Sequence, residues 1–226
     1  MNGQSLAVSN GKVFFRSSEA AMAGRGLERV SVASGIPGDE ADDYTLDAQL
    51  SKDGRFVVFT SAADNLIGPF GDGNSSLDVF VRDRVTGTVT RMSLSDAGAE
   101  VPYPSDSPGI VGAAGSISGD GRYVVFMGYT NSIVAGDTNV CFSGPCADIF
   151  LHDRDTDADG IFDEPGAIST TRISVGPGGV QGDGHSNGRS SPPTARSSSS
   201  RATRPIWCPA TPTARPTSSC ATSRTA

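Results

Sequence analysis

Ser51-Lys52-Asp53-Gly54-Arg55-Phe56-Val57-Val58-Phe59 returns 67 residues later as Ser118-Gly119-Asp120-Gly121-Arg122-Tyr123-Val124-Val125-Phe126. Asp-Gly ahead of a run of β-formers is a hairpin signal, because both residues tolerate the turn backbone. Phe-Val-Val-Phe, bounded by turn residues, reads as a buried central strand. A second word follows each copy. Asp78-Val79-Phe80-Val81-Arg82-Asp83-Arg84 returns as Asp148-Ile149-Phe150-Leu151-His152-Asp153-Arg154, and a third, Thr90-Arg91-Met92-Ser93-Leu94, as Thr171-Arg172-Ile173-Ser174-Val175. The predicted strands are Phe56–Phe59, Val79–Val81, Thr88–Met92, Tyr123–Phe126, Ile149–Leu151 and Thr171–Val175. Asp53 and Asp120 read as structural turn residues. A weaker copy opens the chain. There Asn10-Gly11-Lys12-Val13-Phe14-Phe15 reads as the first word and Glu28-Arg29-Val30-Ser31-Val32 as the third, with the second missing.

Three or four short antiparallel strands per unit, repeated at long period, suggest propeller blades. Ser-x-Asp-Gly-Arg-x-Val-x-Phe, then Asp-Val-Phe-Val-Arg-Asp, then Thr-x-Arg-x-Ser resembles the WD40-like β-propeller repeats of the TolB type, over roughly residues 9–188. The resemblance implies blades built around the Asp-Gly hairpin and no single activity, since such propellers serve as binding platforms and as gating domains of peptidases. The expectation is therefore an all-β fold: a fragment of a β-propeller with about two full blades plus a partial one over residues 1–188, and a disordered C-terminal tail over 189–226.

Charge divides the chain at the same place. All 25 acidic residues lie at or before Asp183, and six of the 18 basic ones lie beyond it. An acidic body repels nucleic acid and anionic lipid. No apolar run approaches the length of a membrane span, and Met1-Asn2-Gly3-Gln4-Ser5 has no signal-peptide character. The Ser-, Arg-, Pro- and Thr-rich tail is explained by a shifted reading frame. When the last base of each codon is taken with the first two of the next, Ser197-Ser198-Ser199-Ser200 can encode Phe-Val-Val-Phe, Thr194-Ala195 Asp-Gly, Ile206-Trp207 Asn-Leu, and Thr217 through Thr222 Asp-Val-Phe-Val-Arg-Asp. Cys208 through Thr213 is expected to encode Val-Ala-Gly-Asp-Thr-Asn in that frame, identical to Val134 through Asn139. Arg196, Pro205 and Ser223 do not fit. The frame change is expected between about Gly184 and Ser190. The tail is then neither a nucleic-acid patch nor, through Cys208 and Cys220, a metal site.

Within the body, Asp155-Thr156-Asp157-Ala158-Asp159-Gly160-Ile161-Phe162-Asp163-Glu164 has alternate carboxylates and a glycine at the sixth position, the first part of a calcium loop. Asp155, Asp157, Asp159 and Asp163 would give carboxylates, Ile161 a carbonyl, and Glu164 would stand in for the glutamate absent at Gly166. A solvated acidic loop is the alternative. Cys141 and Cys146, across Gly144-Pro145, are expected to form a small disulfide, which implies an oxidising compartment. Asp72-Gly73-Asn74 and Gly136-Asp137-Thr138-Asn139 occupy one slot in successive repeats and read as turns whose side chains bond their own backbone, with ligand contacts at the propeller mouth as the alternative. His152 reads as a strand-end surface residue and His185 as part of a loop. With no nucleophile elbow and only two histidines, catalysis finds no support. The reading is a non-catalytic, extracellular or periplasmic binding or scaffold module stabilised by calcium, with a protein or carbohydrate ligand. The alternative is the propeller portion of a larger secreted peptidase-like hydrolase.

Overall fold

The computed structural model describes residues 5–16, 28–34, 39–68, 71–102, 112–142 and 144–186. All belong to one compact unit, Met1–Pro192; a second unit spans Pro193–Ala226. The disordered tail expected over 189–226 lies outside the described residues.

The fold is all-β. Among the described residues there is no α-helix, only a 3₁₀ turn at Pro177–Gly179. Strands β1 (Ser5–Ser9), β2 (Lys12–Arg16) and β3 (Glu28–Arg29) form one antiparallel sheet. Next, β4 (Thr45–Leu50), β5 (Phe56–Ser61), β6 (Asp78–Asp83) and β7 (Val89–Arg91) make a four-stranded meander in chain order, blade 1. In blade 2, β8 (Ala113–Ile117), β9 (Tyr123–Gly128), β12 (Asp148–Asp153) and β13 (Ser169–Arg172) repeat that order, with a small hairpin of β10 (Val140–Cys141) and β11 (Gly144–Pro145) inserted between β9 and β12. Consecutive four-stranded meanders packed face to face are the construction of neighbouring propeller blades. A strand stands at each of the six expected places, and two fall short of the expected span. β7 keeps only Val89–Arg91 of the expected Thr88–Met92. β13 starts earlier, at Ser169, and ends at Arg172, and Val175 instead bridges Gln181.

The repeated words fold the same way because they carry their own wiring. In Ser-x-Asp-Gly-Arg, the serine hydroxyl donates to the aspartate (Ser51–Asp53 2.6 Å, Ser118–Asp120 2.5 Å). The same aspartate accepts the arginine N–H, at 3.0 and 3.1 Å, and the serine hydroxyl accepts the first strand N–H, at 2.9 Å in each blade. The arginine then reaches the end of the second word: Arg55 pairs with Asp83 at 2.7 Å and Arg122 with Asp153 at 2.7 Å. Arg84 and Arg154 return the link by donating to the carbonyls of Gly54 and Gly121.

Two interfaces stack the three sheets. Leu6, Val13, Phe15 and Val30 of the first sheet pack on Val57, Phe59, Leu66 and Phe80 of blade 1. The other face of blade 1, with Phe56, Val58, Val79, Val81 and Met92, packs on Ile117, Val124, Phe126, Ile133 and Phe150 of blade 2. Close approach here demands a glycine: a Cβ on Gly121 would lie 2.2 Å from the Phe56 ring.

The register corrects the reading of the N-terminal copy. Phe14 pairs with Arg29 as Phe80 does with Arg91 and Phe150 with Arg172. Ser31 accepts the N–H of Val13 as Ser93 accepts that of Val79 and Ser174 that of Ile149. Lys12-Val13-Phe14-Phe15 is therefore a second word, and the first word is the one missing. Asn10-Gly11 misled because it is itself a tight turn, with both residues at positive φ, joining β1 directly to β2.

Candidate functional site

The residues between β5 and β6 and those after β7 meet at one end of blade 1, where they build a buried charged cage. Arg91 lies 3.1 Å from Asp72, 3.6 Å from Asp78 and 3.1 Å from Glu100, and donates to the carbonyl of Gly71. Ser93 donates to Asp78. Asn74 donates to Asp78 and to the carbonyl of Val101, at 2.9 Å each. One guanidinium thus faces three carboxylates. Burial, with Asp78 and Glu100 adding repulsion, holds the Asp72 carboxyl up at about 7 despite Arg91, and its Oδ2 is buried without a hydrogen-bond partner. Burial also raises Asp78. Glu100 is more exposed, and it is held below the usual range because the N–H of Gly73 and Arg91 outweigh its partial burial. A cleft of about 280 Å³ opens beside the cage, lined by Gly73, Asn74, Glu100 and Pro102.

Blade 2 repeats the cage with one change. Arg172 lies 2.7 Å from Asp137 and 3.9 Å from Asp148. Ser174 and Asn139 donate to Asp148, and Asn139 also to the carbonyl of Gly182. Glu100 has become Gln181, which donates to Asp137 at 2.7 Å; Val175 bridges Gln181 as Leu94 bridges Glu100. The sequence reading of Asp72-Gly73-Asn74 and Asp137-Thr138-Asn139 as self-bonded turns was incomplete. Asn74 does cap its own turn through Ser76, but the aspartates serve the arginine of the third word. The signal lay in the equal spacing of Arg91, Ser93, Leu94 and Glu100 and of Arg172, Ser174, Val175 and Gln181.

The acidic loop is an eleven-residue insertion: the offset between repeats grows from 70 in the second word to 81 in the third. Asp155, Asp157 and Asp159 converge, with one carboxylate oxygen from each within 4.8 Å of the others. Asp155 also accepts the N–H groups of Asp159 and Gly160, which curls the loop around it. Asp163 is turned elsewhere, accepting from Nε and Nη2 of Arg154 at 2.8 and 2.5 Å, and neither it nor Glu164 joins the cluster. Phe162 anchors the insertion against blade 1, edge-on to Phe56 at 5.4 Å. The donor set, three carboxylates in a tight turn with Gly160 at positive φ, fits a hard divalent cation. The Ile161 side chain is exposed.

Cys141 and Cys146 are bonded to each other. Their hairpin separates Asn139 from Asp148 by nine positions where Asn74 and Asp78 are four apart, and closing it keeps the cage bond intact. His152 is not on the surface. It is buried, hydrogen-bonded to Thr170 at 2.9 Å, and burial pushes it down to about 4. It faces inward because it alternates along β12 in phase with Phe150, on the face packed against blade 1, with Thr170 as its lateral partner on β13. His185 accepts the N–H of Ala147 through Nδ1.

No family model and no curated protein matches the chain. Among solved structures it is similar to the putative TolB from Agrobacterium tumefaciens, with 16% identity and a TM-score of 0.38. The match covers 75% of this chain and 41% of that one, so this chain spans less than half the length of that protein. Among the described residues no helix is long and apolar enough to cross a membrane.

Proposed function

We propose that this chain is a non-catalytic β-propeller module of the TolB-like kind that binds a protein or carbohydrate ligand at the loop end of its blades and is stabilised by calcium. The observation that carries this reading is the cleft at Gly73, Asn74, Glu100 and Pro102, set over the Arg91 cage. A concave surface with a few fixed polar groups on a rigid scaffold is how binding sites are built. Both histidines are engaged by structural partners, which favours binding over acid–base chemistry. The disulfide supports an extracellular or periplasmic setting.

Calcium would sit on Asp155, Asp157 and Asp159. There it would neutralise mutual repulsion and tie the insertion to Arg154 and Phe162. Three carboxylates without a bidentate glutamate point to the weak, extracellular range of roughly 10⁻⁴–10⁻³ M. Calorimetry tests this: calcium heat at millimolar concentration, lost in Asp157→Ala plus Asp159→Ala, is expected, and heat unchanged in that variant contradicts it.

The codons beyond residue 190 complete the reading as a further blade carried out of frame. The identity expected of Cys208 through Thr213 with Val134 through Asn139 fails at one position. The codon of Cys208 ends in a pyrimidine, so Pro209 can give only Ser or Pro where Ala135 stands in blade 2, while Ala210-Thr211-Pro212-Thr213 can still give Gly-Asp-Thr-Asn.

A further inference from the structure

We infer that the outer face of blade 2 is the docking surface for a third blade of this same repeat, whose words lie in the alternate frame of codons 192–222; the inference rests on the frame reading above. Equivalent positions form a series. Leu6, Val13, Phe15 and Val30 of the first sheet are covered by blade 1. Val58, Val79, Val81 and Met92 of blade 1 are covered by blade 2. The next members, Val125, Ile149, Leu151 and Ile173, enter neither core cluster: Ile173 is 45% exposed where Met92 is 0%. Tyr123, at the place of Phe56, is 36% exposed against 2%.

The backbone already marks the entry to the missing blade. At each seam, one N–H ahead of the innermost strand donates to the carbonyl just before the second word. Thr45 donates to Gly11 at 2.8 Å and Gly112 to Leu77 at 2.9 Å. Ser186 donates to Ala147 at 2.7 Å in the same way. From that N–H to the aspartate of Asp-Gly is eight residues in both blades, Thr45 to Asp53 and Gly112 to Asp120. Eight residues beyond Ser186 is codon 194, where the alternate frame allows Asp, and codon 192 allows the Ser of Ser-x-Asp-Gly. On this alignment the slip falls between codons 186 and 192.

The occupant also fits in chemistry. Blade 1 offers Val57, Phe59, Leu66 and Phe80 to the sheet before it, and blade 2 offers Val124, Phe126, Ile133 and Phe150. The genetic code allows the alternate frame Val, Phe, Leu and Phe at codons 198, 200, 207 and 219. The step from Phe to Leu or Ile is seven in all three, as in Phe59 to Leu66, Phe126 to Ile133 and codons 200 to 207.

The test restores the frame by one nucleotide change between codons 187 and 192 and compares methionine oxidation in the two full chains. Met92, buried in the blade 1–blade 2 core, is the internal control, and Met127 lies on the open face, alternating with Val124 and Phe126. In the chain as it stands Met127 oxidises faster than Met92; in the restored chain it slows to the Met92 rate. Met127 remaining fast while Met92 stays protected overturns the docking. So does a restored chain that protects Met127 only by dimerising, with Leu151→Glu returning it to monomer, since the occupant is then a second copy. If Met92 also oxidises fast, the restored chain has not folded, and the existing chain decides. There Ile149→Ser plus Leu151→Ser removes most binding of an apolar dye without altering the circular dichroism, whereas dye binding unchanged by that pair overturns the inference. Sequencing the gene separates the two readings. Alternate-frame codons that fail to spell these words remove the frame reading itself, while correct words with an unprotected Met127 remove the docking alone.

Discussion

Blades 1 and 2 share their wiring and differ in what surrounds it. Each ties its Asp-Gly turn to the end of the second word through an arginine–aspartate pair, and each closes its loop end with an arginine among buried carboxylates. Blade 1, however, is covered on both faces and balances one cation against three carboxylates. Among the described residues blade 2 is covered on one face; it replaces Glu100 by Gln181 and carries both insertions, the disulfide hairpin and the acidic loop. Local wiring follows the repeated words; burial and charge balance follow from neighbours and from single substitutions outside the words.

The largest separation between the blades is expected at the cage arginines. Removing one partner of a buried ion pair typically costs about 3–5 kcal/mol. Arg91→Met should reach that range, because it leaves three carboxylates facing one another. Arg172→Met should cost less, with two carboxylates and Gln181 still donating to one of them. Urea denaturation at pH 7 measures both, and equal losses would break the distinction.

The pH response sets the blades against each other. Asp72 is held up at about 7 in the folded protein, against about 4 unfolded. Its proton is bound more tightly when folded, so its contribution is fully present below pH 4 and is lost as pH rises through 7. His152 is pushed down to about 4, against about 6.5 unfolded. Its contribution is present above pH 6.5 and is lost as pH falls through 4. Each effect is on the order of 3 kcal/mol at full extent. Between pH 4 and 6.5 they oppose, so the thermal midpoint of the native chain should vary little there. Asp72→Asn should leave a midpoint that rises with pH across this window, and His152→Gln one that falls. Parallel profiles for the two variants would contradict the assignment.

A smaller effect belongs to blade 2 alone. Removing the six-residue disulfide loop with Cys141→Ser plus Cys146→Ser should cost about 2 kcal/mol by loop-closure entropy. It should also raise amide exchange at Ile149 and Ser174, through the freed Asn139–Asp148 contact. Unchanged exchange would show that the hairpin does not support the cage.

Strand identity was legible in the sequence because each repeated word is a complete local device: turn, cap and apolar run. The innermost strands β4 and β8 were not, since Thr45–Leu50 and Ala113–Ile117 carry no shared word and are strands through pairing with β5 and β9. The N-terminal copy was misassigned because Asn10-Gly11 imitates the Asp-Gly turn. Of the acidic loop, spacing alone brought Asp155, Asp157 and Asp159 together, whereas the capture of Asp163 by Arg154 depends on a residue outside the motif. His152 went unrecognised as buried because its counterpart, Arg82, is a residue type usually met on surfaces, and the depth of that position comes from the face it shares with Phe150 against blade 1.

The central claim is that equivalent apolar positions in the two blades owe their difference in burial to cover, and paired truncation tests it most directly. Val81 and Leu151 occupy the same place in the second word, Val81 in the inter-blade core and Leu151 on the half-exposed outer face. Val81→Ala should cost about 1–2 kcal/mol from the apolar area lost, measured by urea denaturation. Leu151→Ala, though it removes more atoms, should cost less. A larger loss at Leu151 than at Val81 would mean that the outer face of blade 2 is already covered, and would contradict the account.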